Sequence, residues 1–258
     1  MKLGGTDDEW RQFPLWARGP AKVIGDEVVL DESRAEEYPM AVTADSKDLV
    51  LQLAHMAADW DNRDPRDIVT FVRRNGLLWH GARDLGTGEC RESLSKWWEE
   101  ARLIAVLLSL YNDVVRATAN SPTQYLREAL GELVGFYGAE LDADDEDGDE
   151  ELAEVASWFL AEALTERLEN CRVGVTSSLV LGLKIREPDY FLRAINPPDL
   201  LTAAYVALSD IIVNHAPMKE CPGCGRMFVQ ESGKQKYCTK SCASTSRWRR
   251  WKASQSVD

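Results

Sequence analysis

The sequence predicts a mainly α protein with short β-hairpins, built as a helical body plus a small C-terminal module of treble-clef or zinc-ribbon type. Three observations predict it: apolar residues recurring at helical spacing, two β-branched runs broken by turn residues, and four cysteines gathered between positions 221 and 242. With 258 residues, 45% of them hydrophobic and 28% charged, the chain can bury a real core.

The elements follow in order. "KVIGDEVVLD" (22–31) reads as a hairpin turning at Gly25-Asp26. "SKDLVLQLAHMAADW" offers Ser46 as N-cap and places Leu49, Leu53, Met56 and Trp60 on one helical face. "DPRDIVTFVRRNG" carries a cap at Asp64, Pro65 in the first turn and Gly76 as a stop. Residues 91–119 form one long helical pattern, and Ser121-Pro122 restarts a helix that runs to about Tyr137. A further helix is expected after the acidic run, over "LAEVASWFLAEALTERLEN". Residues 173–195 switch to β character with a turn at Arg186–Asp189, and Pro197-Pro198 open a last body helix that stops by Pro217.

The run "DADDEDGDEE" (142–151) is a solvated acidic loop whose final carboxylates favour the start of the next helix. It also resembles a Ca²⁺ loop, but Gly148 is its seventh residue where that loop needs glycine at the sixth. A third reading has it shield the basic end of the chain.

Charge separates the chain into two parts, a body over 1–218 and a module over 219–258. The net charge is −13, yet residues 219–258 hold nine Lys/Arg against three acidic residues, a balance of +6 that leaves −19 on the body. Such asymmetry concerns partners, and it directs the module toward a polyanion or an acidic protein surface. No apolar run reaches the ~18 residues of a spanning helix, so no membrane partner is expected. "MKLGGTDDEW" lacks the apolar segment of a secretory signal, and the expectation is a cytoplasmic protein.

Cys221-x2-Cys224 and Cys238-x3-Cys242, thirteen residues apart, have the spacing of a zinc site. Gly223 and Gly225 permit the tight turn that aims two sulfurs at one ion, and the second pair completes a tetrahedron of ~2.3 Å Zn–S bonds. Between the pairs, two short strands turning at Ser232-Gly233 are expected to return Tyr237 and Cys238 to the first turn, with Thr239 capping a helix that holds Cys242. Four thiolates leave no place for water, so one structural Zn²⁺ is expected, worth about 10 to 16 kcal/mol to a module with little core of its own. A redox C-x-x-C is the alternative, without the βαβ context such sites occupy.

Catalytic patterns are missing. His55, His80 and His215 form no H-E-x-x-H, and there is no Gly-rich phosphate loop and no G-x-S-x-G, so no enzyme is expected. "GARDLGTGECRES" reads as a connection.

The run from Pro197 to Lys252, a helix leading into "CPGCGRMF", a basic hairpin and a second cysteine pair followed by arginines, resembles the bacterial ABATE and CGNR zinc-finger proteins. The resemblance covers roughly the last 60 residues well and the helical body in outline. It implies a stress-linked transcription regulator whose zinc finger binds DNA, with the metal on Cys221, Cys224, Cys238 and Cys242. Where that family reads C-G-N-R, this chain has Cys242-Ala243-Ser244-Thr245; its arginines come later, at 247, 249 and 250.

A helix over Lys240–Lys252 would be about 20 Å long, enough to lie along a groove or a phosphate backbone. Lys240, Arg247, Trp248, Arg249, Arg250 and Lys252 are its candidate nucleic-acid contacts. At ~100° per residue, Trp248 and Trp251 share a stripe facing away from the zinc. The favoured expectation is that they pack on the helical body, with the arginines as a rim. The other is that they meet a partner, either stacked bases or a hydrophobic protein surface, a homodimer included.

Overall fold

The computed structural model describes residues 15–39, 46–57, 60–79, 89–118, 124–137, 149–169, 171–177, 191–230 and 232–255. Within them the chain is mostly helical, with small antiparallel sheets.

β1 (Leu15–Arg18) pairs with β4 (Glu36–Pro39), while β2 (Ala21–Ile24) and β3 (Glu27–Asp31) form the hairpin expected from "KVIGDEVVLD". Gly25 turns it with φ +64°, a backbone conformation glycine adopts without strain. α1 (Ser46–Ala57) and α2 (Pro65–Asn75) also follow the sequence signals. Asp64 accepts from the Arg66 N–H at 2.9 Å, and Gly76 ends α2 with φ +96°. A Cβ there would stand 2.4 Å from the Ala17 carbonyl oxygen, so α2 meets β1 backbone to backbone and only glycine fits.

The expected helix over 91–119 starts later. Glu89–Ser93 is strand β5, added to β3 with Val29 opposite Arg91 and Leu30 opposite Cys90, and α3 runs Leu94–Thr118. Period two wins over period 3.6 here because the open edge of β3 offers ladder partners, and Cys90 and Glu92 alternate inward. Glu92 is buried with good reason. Its carboxylate accepts from the Leu78 and Trp79 N–H groups (3.0 and 2.7 Å) and from Trp97 Nε1 (2.7 Å).

α4 (Gln124–Phe136) and α5 (Asp149–Leu168) complete the bundle around α3. Residues 142–148 of the acidic run, the segment 81–88, Ser121-Pro122, His80 and the turn at 186–189 lie outside the described residues. β6 (Arg172–Ser177) and β7 (Phe191–Asn196) give the second expected hairpin. α6 (Leu200–Val213) is buried on nearly every side from Leu200 to Leu208, the mark of a central helix, and packs on α1, α3 and α5. Asp199 caps it, accepting from Thr202 N–H at 2.7 Å.

Trp97, Leu53, Ile104, Leu107 and Tyr205 lie at the centre of the apolar core. One polar knot sits inside: Tyr205 donates to Glu100 (2.6 Å), and Arg167 pairs with the other oxygen of that carboxylate (3.0 Å). Burial pushes the Glu100 carboxyl above its ordinary range, against the opposing pull of Tyr205 and Arg167. None of the helices in the described residues is long and apolar enough to cross a membrane.

Candidate metal centre

After α6 the chain forms β8 (Met218–Glu220), a turn, and β9 (Met227–Val229), which pairs back on β8 with Lys219 opposite Phe228. The turn between them is the first cysteine pair. Cys221 N–H donates to the Arg226 carbonyl at 2.9 Å, and the N–H groups of Cys224 and Gly225 both donate to the Cys221 carbonyl, at 3.2 and 2.8 Å. Gly225 takes φ +74° to close the turn. A Cβ on Gly223 would lie 3.1 Å from the Cys242 carbonyl oxygen, so the knuckle sits tightly against the helix bearing the second pair.

The expected hairpin turning at Ser232-Gly233 is corrected by this pairing. A turn does occur there, with Gln235 N–H donating to the Ser232 carbonyl at 2.9 Å, but no strand follows it. The knuckle itself reverses the chain, so the nearest partner for Met227–Val229 is the strand that enters the knuckle. The Gln230 side chain, buried, donates to the Gln235 carbonyl at 2.8 Å and holds the return segment instead.

Thr239 caps α7 (Lys240–Gln255) as its sequence position predicts: its hydroxyl accepts from Cys242 N–H at 3.1 Å. The helix passes the expected end at Lys252 and continues to Gln255.

These elements bring all four predicted ligands together. The sulfurs of Cys221, Cys224, Cys238 and Cys242 all lie within 4.8 Å of one another, with Cys224 to Cys238 at 3.7 Å and Cys238 to Cys242 at 3.4 Å. A regular tetrahedron of ~2.3 Å metal–sulfur bonds has edges of about 3.8 Å. The cluster is therefore compatible with a single ion held by protein sulfurs alone.

As thiols, Cys221 and Cys238 differ in acidity. Burial raises Cys221, but the N–H groups of Cys238, Gly223 and Cys224 outweigh it and bring the thiol down to about 6. Cys238 is pushed up to about 12 by burial and by its sulfur neighbours.

Comparison with models of protein families, with curated proteins and with solved structures finds no match.

The module is fastened to the body at one point the sequence did not disclose. His55 on α1 lies 2.9 Å through Nε2 from the Met227 carbonyl oxygen, and since that oxygen can only accept, Nε2 carries the proton. Burial holds His55 below its ordinary pKa; the Met227 bond opposes this and the nearby Arg226 adds to it. Phe228 is buried beneath, and Met218 and Val229 pack on the main core. The partner carbonyl of His55 lies 172 positions away, so no local pattern marks that contact.

α7 turns its tryptophans outward. Trp248 and Trp251 are 56% and 59% exposed, which overturns the expectation that they pack on the body. Tyr237 lies against one side of the helix, its hydroxyl 3.2 Å from Ser246 Oγ, and Trp248 and Trp251 fall outside that stripe. Arg249 donates to the Gly223 carbonyl at 3.2 Å and braces the knuckle, whereas Arg250 reaches the Tyr237 hydroxyl at 3.3 Å. Arg247 caps only its own helix, at the Ala243 carbonyl, and Lys252 sits 5.3 Å from the Trp248 ring centroid. Among the described residues, none of the module's Lys or Arg enters an ion pair.

Proposed function

We propose that the C-terminal module holds one structural Zn²⁺ on Cys221, Cys224, Cys238 and Cys242 and binds nucleic acid, DNA foremost, as part of a cytoplasmic transcription regulator. An all-sulfur tetrahedral set suits zinc, and such a site builds structure and does no catalysis. The observation that carries the nucleic-acid reading is the outer face of α7. Two exposed indoles stand among Arg247, Arg250 and Lys252, and among the described residues none of these cations is neutralised by a carboxylate. Guanidiniums suit phosphate oxygens, and exposed rings suit base or sugar faces.

The test is DNA affinity measured from ~50 to 200 mM salt for the intact protein and for a variant carrying Arg247→Ala and Arg250→Ala. About four phosphate contacts give a log–log slope near −3.6, and the double variant reduces it by about two contacts. Unchanged affinity in the variant sinks the reading. The exposed indoles also fit a hydrophobic patch on a protein partner or a second copy, and salt-independent self-association lost in Trp248→Ala would favour that reading instead.

A further inference from the structure

A cleft of about 830 Å³ opens where the metal knuckle overhangs the groove between α1 and α3. Leu51, Ala54, Val106 and Leu108 give it an apolar floor, and Met227 of the module closes one side. Its size lies in the range of small-molecule sites, and it occupies a seam between packed units, where such sites concentrate.

The charges along one wall are already used. Arg102 bonds Glu132 at 2.9–3.0 Å and lies 4.8 Å from the Trp60 ring centroid. Other polar groups are not used. Ser109 and Asn112, one turn apart on α3, and Arg226 on the knuckle line the cleft, and their side chains have no hydrogen-bond or ion-pair partner among the described residues. An apolar floor with a hydroxyl, a carboxamide and an unpaired guanidinium above it is a recognition set for an anionic head on an apolar body.

We infer that this cleft is a site for a small organic carboxylate, its head on Arg226, Asn112 and Ser109 and its apolar part on the floor between α1 and α3. A ligand so placed touches the body and the metal knuckle at once and stiffens the seam between them. Asp61, exposed at the cleft, and Glu132, already bonded to Arg102, are the features favouring an amine, and a choice of probes separates the two.

Octanoate, octylamine and octanol are titrated into the metal-loaded full-length protein by calorimetry, and amide hydrogen exchange is followed with and without octanoate. Octanoate is expected to bind saturably, at least about tenfold more tightly than octanol or octylamine. Arg226→Ala, a change at an exposed residue, is expected to lose that preference while keeping its metal content. Asn112→Leu is expected to weaken the carboxylate and spare octanol. Protection should appear both in 102–112 and in 224–227. Equal binding of acid and alcohol, tighter binding of the amine, no saturation by about 10 mM, or protection confined to other segments would each overturn the assignment.

Discussion

His55 donates through Nε2 to the main-chain carbonyl of Met227, 2.9 Å away, and thereby joins α1 of the body to β9 of the metal module. The bond is half-buried, so its loss has a measurable effect. His55→Ala is expected to cost about 1 kcal/mol in denaturant unfolding and to speed amide exchange in 218–229. The sign of the pH effect follows from burial. His55 titrates below its unfolded value of 6.5, so its contribution is whole above that pH and falls as the solution is acidified through the folded value. His55→Gln keeps an N–H donor and lacks the titration; its stability should be flatter than wild type below pH 6.5.

Glu92 gives a second expectation. Three donors converge on this one buried carboxylate, two of them main-chain groups of Leu78 and Trp79. Glu92→Ala strands all three and is expected to cost at least about 3 kcal/mol, among the larger effects of a single substitution. A loss under about 1 kcal/mol in urea unfolding would show that the 77–79 segment finds other partners.

Metal removal should act on one end of the molecule only. With any bound metal chelated, or with Cys238→Ser, α7 has only its own backbone bonds, and a 16-residue helix alone is marginal in water. Circular dichroism should record the loss of roughly one helix of this length, while the core around Trp97 and Ile104 still unfolds cooperatively. Complete loss of the body's cooperative transition would contradict this.

The exposed tryptophans are testable without any partner. Trp248→Ala and Trp251→Ala should each leave stability within about 0.5 kcal/mol of wild type. Packing on the body would make either change cost about 3–5 kcal/mol.

Much of this was readable in the residues. Gly25, Asp64 and Gly76 act locally, through φ and a capping carboxylate, so their elements fall where the pattern puts them. The cysteine spacing is likewise a local property of a turn and a helix start, and it located all four clustered sulfurs. What escaped depends on partners far along the chain. Cys90 and Glu92 become strand only because β3 offers an edge, and an inward carboxylate runs against the hydrophobic alternation that would reveal a strand. Met227–Val229 was expected to pair across Ser232-Gly233, and the closure of the knuckle set it against Met218–Glu220 instead. Helical spacing set Trp248 and Trp251 apart from Cys242, but whether the body reached round to cover them was a matter of tertiary placement, and both are exposed.

Cys242, whose sulfur belongs to the four-sulfur cluster, holds α7 near its beginning, and Trp251 stands nine residues further on, just past the brace from Arg249 to the Gly223 carbonyl. At ~1.5 Å per residue that is an arm of about 13 Å, so a tilt of ~10° at Cys242 sweeps the indole through roughly 2 Å. The helix is a lever with its fulcrum at the four sulfurs. Small differences in how the knuckle is seated reach the outer face as displacements comparable to a bond-length or more.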